Sequence, residues 1–262
     1  MSTPLFGYCA PCEQSALARQ QGWDFIEENA QKFLQGETPD EKWHGVEMQR
    51  RAALPVVAAN SLVPGHLKIT GPDANLQTLE TYMSRVIPRG ETTNIRRLVF
   101  GSGVARNIPD GFDRCEARKQ IIAFLKMTAP ILQKHEVIIV IEPLNKGECN
   151  IITSVAEAME YVREVDHPNI QCLVDSFHFW LENESLQNIV DAGTHIRHVH
   201  VADKDGRTPP GLSGKADYRP FFASLKKIRY SGIVSIEAKL PDDWSERGKS
   251  VLEYMKDQWK EA

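Results

Sequence analysis

Four short apolar runs in the second half of this chain each close on a side chain that can bind a metal or carry a proton. They are Val137-Ile-Ile-Val-Ile-Glu142, Ile170-Gln-Cys-Leu-Val-Asp175, Ile196-Arg-His-Val-His200 and Ile233-Val-Ser-Ile-Glu237. Brought together, Glu142, Asp175, His200 and Glu237 form an oxygen-rich set with a single imidazole. Such a set suits one divalent metal ion, with Mn, Mg or Co expected and Zn also accommodated. An ion held by carboxylates polarises a substrate carbonyl and stabilises the enediolate left when the neighbouring carbon loses a proton. Two carboxylates beside that carbon can act as base and acid, giving isomerisation or epimerisation. If a β-substituent leaves from the same enediolate, the outcome is that of a lyase or dehydratase.

The runs themselves say how these groups are positioned. Each is continuous and rich in β-branched residues rather than amphipathic, the pattern of a strand in a parallel sheet covered on both faces. Leu5 to Tyr8, Phe25 to Glu27, Pro55 to Asn60 and Arg97 to Phe100 supply four further strand candidates, making eight. Helical patterns alternate with them, as in βα units. A helix is expected over Cys115 to Gln133, with Ile121, Ile122, Leu125 and Leu132 on one face and Pro130 kinking or interrupting it. Ser154-Val-Ala-Glu157 reads as a capping box for the next helix. Others fit Ser185 to Ala192, Tyr218 to Ile228 behind Asp217 as cap, and Glu246 to Trp259. The expected fold is α/β: a single (β/α)8 TIM barrel over residues 1–262, with Glu142, Asp175, His200 and Glu237 at the mouth formed by the C-terminal ends of the strands. Gln35 to Arg51 and Pro64 to Thr93 are long enough for lids or extra helices over that mouth. By the two-residue period of a strand His198 shares the inward face of His200, but deeper, as core or support.

Bulk properties narrow the function classes. With 262 residues and a net charge of -4, the chain shows no basic footprint for nucleic acid. No apolar run approaches the length of a membrane span, and the N-terminus lacks a signal-peptide pattern, so the expected compartment is the cytoplasm. A homo-oligomer is compatible with this reading. Five scattered cysteines fit reduced thiols, and Cys9-Ala-Pro-Cys12 is read as a βα loop with two small residues rather than a redox pair. Gly101-Ser-Gly-Val-Ala-Arg106 follows the fourth strand and places Arg106 over the mouth, against a substrate hydroxyl or carboxylate. Phe177 and Trp180 fit stacking on a sugar ring and packing beneath a loop equally well. No phosphate-binding glycine motif opens a helix near strands seven and eight, leaving a phosphorylated substrate unsupported.

These motifs, in order, carry a resemblance. Glu142-Pro-Leu-Asn-Lys-Gly-Glu148, Val174-Asp-Ser-Phe-His178, His198-Val-His-Val-Ala-Asp203 with Arg207, Gly214-Lys-Ala-Asp-Tyr218 and Gly232-Ile-Val-Ser-Ile-Glu237 resemble the xylose isomerase-like TIM barrels. Within them the match is to the sugar phosphate isomerase/epimerase family that includes the ketose 3-epimerases. The resemblance implies that Glu142 and Glu237 bind the metal and exchange protons with a carbohydrate substrate, that Asp175 and His200 complete the metal site, and that Glu148, His178 and Arg207 contact sugar hydroxyls. Lys146-Gly147 and Ala202-Asp203 depart from the Arg-Tyr and Gly-Glu usual in those epimerases, so their ketohexose specificity is not carried over. A more distant likeness to endonuclease IV rests on Asp175-Ser-Phe-His178 and His200-Val-Ala-Asp203. That enzyme class needs three zincs and further histidines, and none lies between Arg207 and Tyr218.

Overall fold

The computed structural model describes residues 3–262. Eight parallel strands close into a barrel in sequence order. They are β1 (Leu5–Cys9), β2 (Phe25–Asn29), β3 (Val56–Asn60), β4 (Arg97–Phe100), β5 (Ile138–Ile141), β6 (Ile170–Asp175), β7 (Ile196–Val201) and β8 (Ile233–Ile236). β1 pairs with β8, so no edge is left exposed. The principal hydrophobic core lies between this sheet and an outer ring of helices that includes Leu76–Thr92, Arg114–Lys134, Val155–Val165 and Trp244–Glu261. No helix among the described residues is long and apolar enough to cross a membrane.

The barrel interior changes character along its axis. Two small apolar clusters fill it, Phe25 with Ala58 and Ile233, and Val99 with Val140 and Leu173. Gly7 makes the first cluster fit, because a Cβ there would overlap the Phe25 ring. Nearer the mouth the interior becomes polar, with Glu27, His198, His200 and Ser235 all buried. The pairing of β2 with β3 shifts register between Ile26 and Glu27, and an irregularity of this kind re-aims the side chains that follow it.

Three local expectations are modified. Arg114–Lys134 is one continuous helix through Pro130. Proline removes the bond to the carbonyl four residues back, here that of Lys126. Both residues lie on the exposed face, where solvent can satisfy that carbonyl, so the helix continues. Ser154 accepts from the Glu157 N–H at 3.0 Å, but the Glu157 carboxylate reaches Thr153 N at 2.8 Å rather than closing the reciprocal bond to the cap. Tyr218 rather than Asp217 is the boundary residue of helix Arg219–Lys227, although Asp217 accepts from Arg219 N at 3.0 Å. Of the two long connections, Gln35 to Arg51 holds the extra helix Gly45–Arg51, while Pro64 to Thr93 contains Leu76–Thr92, the ordinary helix between β3 and β4.

Candidate metal centre at the barrel mouth

β5 to β8 deliver the four anticipated residues to one point. Glu142 and Glu237 each follow the last residue of a strand, while Asp175 and His200 are aligned across the β6–β7 pairing. One donor atom from each of Glu142, Asp175, His200 and Glu237 lies within 4.8 Å of the others. His200 Nδ1 is 3.1 Å from Glu142 Oε1 and 3.4 Å from Glu237 Oε2. Asp175 Oδ1 accepts from Phe177 N at 2.7 Å, which caps helix Ser176–Leu181, while its buried Oδ2 has no hydrogen-bond partner among the described residues. Gly101 backs the group, since a Cβ there would collide with Oε2 of Glu142. The donor set fits a divalent cation. Its three carboxylates and imidazole nitrogen converge, and the orphaned Asp175 oxygen has a use there.

The electrostatics show what such crowding costs. Burial, followed by the Glu237 charge, raises the proton affinity of Glu142. Burial lifts Asp175 to about 6 against the opposing pull of Arg207, with Glu237 adding to the rise. Burial would also raise Glu237, but His200 and then Arg207 overcome it and hold that carboxyl down at about 2. His200 is pushed well above the ordinary histidine value, because Glu27 and Glu237 outweigh a burial that disfavours its charge.

Glu27 is the principal residue missed. The sequence pattern makes it the end of a short strand with no chemistry, yet its carboxylate is fully buried between both histidines. Oε1 lies 2.9 Å from His200 Nε2, and Oε2 lies 2.7 Å from His198 Nε2 and 2.5 Å from Ser235 Oγ. A buried carboxylate is tolerated only when paired and hydrogen-bonded. Although burial raises its proton affinity, the two histidines hold Glu27 below the usual carboxylate range. Glu27 takes the Nε2–H of His200, so it is the proton on Nδ1 that a metal would displace, the arrangement that orients a metal-bound histidine. His198 takes the deeper, supporting place expected of it, and burial lowers its own pKa.

Asn60, from the end of β3, is a second residue without a prior role; its Nδ2 donates to Glu237 Oε1 at 2.9 Å. Arg207 donates to Glu237 Oε2 at 2.6 Å and stacks on Phe177, 4.8 Å from the ring centroid. It also lies 3.5 Å from Glu148 Oε1. Its backbone has φ 52, an uncommon conformation for a residue with a side chain. His178 Nδ1 accepts from the backbone N of Asn145 at 3.1 Å, with Asn145 Nδ2 2.9 Å away. That assigns the proton to Nε2, which is buried without a hydrogen-bond partner among the described residues, 3.8 Å from Asp175 Oδ2. Asn145 Nδ2 also donates to Glu148 Oε1 at 2.9 Å, so the loop after β5 holds both residues. Phe177 therefore serves the arginine, while Trp180 packs edge-on against Tyr218.

Arg106 corrects an expectation. It is fully buried, with Nη1 donating to the Phe100 carbonyl and Nη2 to the Glu142 carbonyl, each at 2.6 Å. Helix Gly103–Arg106 folds the side chain back over the Phe100 ring, so it braces β4 and β5 rather than meeting substrate. Cys9 and Cys12 are unpaired, and burial pushes both thiols up, Cys12 to about 12. At neutral pH they remain protonated and poorly reactive.

The chain resembles known proteins along its whole fold. It is 30% identical over 124 residues to the 3-dehydro-D-guloside 4-epimerase of Escherichia coli (strain K12), covering 47% of each chain. It is 28% identical over 165 residues to a putative hydroxypyruvate isomerase of Danio rerio, covering 60% of this chain and 58% of that one. These matches span about half the length of the curated relatives. The structure of D-allulose 3-epimerase from Methylomonas sp. in complex with D-allulose superposes with a TM-score of 0.83 at 20% identity, covering 98% of both chains, a likeness of fold. Residues 15–258 match the family of the xylose isomerase-like TIM barrel, and the chain belongs to that family.

Proposed function

We propose that the chain is a divalent-metal-dependent sugar isomerase or epimerase that moves a proton on a carbon next to a carbonyl. The observation that carries this reading is the meeting of two glutamates, Glu142 and Glu237, with Asp175 and His200 at one buried four-donor site. Two carboxylates beside one metal-held carbonyl can serve as acid and base. The names of the curated relatives, sugar epimerases and isomerases among them, support the same chemistry.

Glu142, Asp175, His200 through Nδ1, and Glu237 would hold the ion. When bound, the ion, Mn, Mg or Co by the donor set and Zn as an accommodated alternative, supplies the positive charge that stabilises an enediolate. The chain's own residues supply the rest. Glu237, fixed by Asn60 and Arg207, takes the proton from the carbon beside the carbonyl, and a protonated Glu142 delivers its own proton in exchange, so the two carboxyls end the step with their protonation states swapped. His178 offers its free Nε2–H to a substrate oxygen. Arg207 and the half-exposed Glu148 contact sugar hydroxyls at the rim. The partner is a small carbohydrate carrying a carbonyl; unpaired cysteines fit a reducing compartment such as the cytoplasm.

Turnover of keto sugars and 3-keto glycosides in D2O, with Mn supplied, tests this. Deuterium should appear on the carbon beside the carbonyl with no other change in mass. A product lighter by water, or release of an aglycone, would replace proton exchange with elimination.

A further inference from the structure

At the end of the barrel opposite the carboxylates, a cavity of about 250 Å3 is lined by Arg97, Arg197 and Arg229 together with Thr194, Ser231 and Tyr230. Arg97 opens β4, Arg197 is the second residue of β7, and Arg229 lies in the turn before β8. No aspartate or glutamate lines the cavity, and none of the three arginines forms an ion pair among the described residues. Arg97 uses only its Nε, donating to the Arg197 carbonyl at 3.0 Å. The exposed guanidinium groups of Arg197 and Arg229 have no side-chain hydrogen bond among the described residues. In a chain of net charge -4, three cations gathered around one hollow without a carboxylate call for an anion.

The chemistry of the groups narrows that anion. A carboxylate is satisfied by one guanidinium fork, whereas a phosphoryl dianion presents three acceptor oxygens and takes several. Ile196, Ile228 and Tyr230 give the same cavity an apolar wall, which suits an organic substituent. We propose that this cavity binds a phosphate-bearing small molecule, the phosphoryl group between the three guanidinium groups and the carbon skeleton against Tyr230 and Ile228. The site is separate from the metal centre and does not depend on the reaction assigned there.

Titration of the metal-loaded chain with glycerol 3-phosphate, followed by calorimetry, tests the proposal, with inorganic phosphate as the second probe. One saturable site is expected, weakened about tenfold or more by either Arg197→Ser or Arg229→Ser, as for a lost charged hydrogen bond. Arg229→Lys should retain more affinity than Arg229→Ser, and Glu142→Gln at the mouth should bind as tightly as the parent chain. Added salt should weaken binding. Glycerol 3-phosphate should bind more tightly than inorganic phosphate; equal affinities would overturn the role given to the apolar wall. Absence of saturation in the millimolar range, or binding lost in Glu142→Gln but kept in both serine variants, would overturn the site. A dimer in sedimentation velocity that Arg229→Ser dissociates would assign the cavity to a second copy of the chain instead.

Discussion

The two ends of this barrel carry opposite charge problems solved in opposite ways. At the mouth, Glu142, Asp175 and Glu237 crowd one volume with Arg207 as the nearest guanidinium, and burial makes the crowding expensive enough to raise Asp175 to about 6. At the other end, Arg97, Arg197 and Arg229 surround a hollow without any acidic lining, and much of that surface is open to water. Burial explains the difference in what each end can do. A desolvated cluster needs a counter-charge that remains in place, whereas solvent screens an exposed one and lets its ligand come and go. Between them, Glu27, His198 and Ser235 make a polar layer whose hydrogen bonds point toward His200 and thus serve the mouth.

The largest expected effect follows from removing charge at the mouth. Glu237→Gln keeps size and the Asn60 contact but removes the base, so kcat should fall by about a hundredfold or more. Near-parental turnover with the fold intact would remove Glu237 from the chemistry. A step deeper, Glu27→Gln leaves every mouth carboxylate in place but allows the wrong His200 tautomer. Metal affinity should weaken by roughly 10- to 100-fold, as for other lost partners of a ligating histidine. Calorimetric metal titration reads this directly, and unchanged affinity would reduce Glu27 to a packing role. Beside the metal ligands, His178→Ala should raise KM by about tenfold with a smaller effect on kcat, the pattern of a lost substrate contact. A kcat loss matching that of Glu237→Gln would place His178 among the proton carriers.

Acidity sharpens the same contrast. In the metal-free fold Asp175 sits at about 6, above its ordinary value, so this group favours the folded chain at low pH and loses that contribution as pH rises through about 6. Metal binding must displace that proton, and the one on His200 as well. Metal affinity should therefore fall as pH drops through about 6, with protons released on binding. Metal titrations in buffers of different ionisation enthalpy measure that release, and a pH-independent affinity would show that neither Asp175 nor His200 gives up a proton when the metal binds.

Much of this was legible in the chain because parallel strands covered on both faces announce themselves as continuous β-branched runs. Glu142, Asp175, His200 and Glu237 stood out as polar residues closing such runs. Glu27 did not, because only Phe25 and Ile26 precede Glu27-Glu28-Asn29, and a polar triplet after so short a run looks like a strand running out into solvent. The register shift at Ile26/Glu27 and the distant residues of β7 and β8 that pair with Glu27 belong to tertiary structure. Asn60 was hidden for a simpler reason: it is uncharged and acts through another side chain. Arg106 was misplaced because its spacing after β4 gives its distance from the mouth but not its direction. Only the turn of Gly103–Arg106 shows that it reaches back to two backbone carbonyls.

Anomalous scattering from crystals of the chain grown with Mn tests the central claim most directly. The account predicts one peak per chain, bonded to Glu142, Asp175, Glu237 and Nδ1 of His200, with Nε2 still hydrogen-bonded to Glu27. Cys9, Glu27 and His200 form a neighbouring group whose donor atoms also lie within 4.8 Å of one another. A peak there, on Nε2 of His200, or several peaks around the mouth would contradict the account.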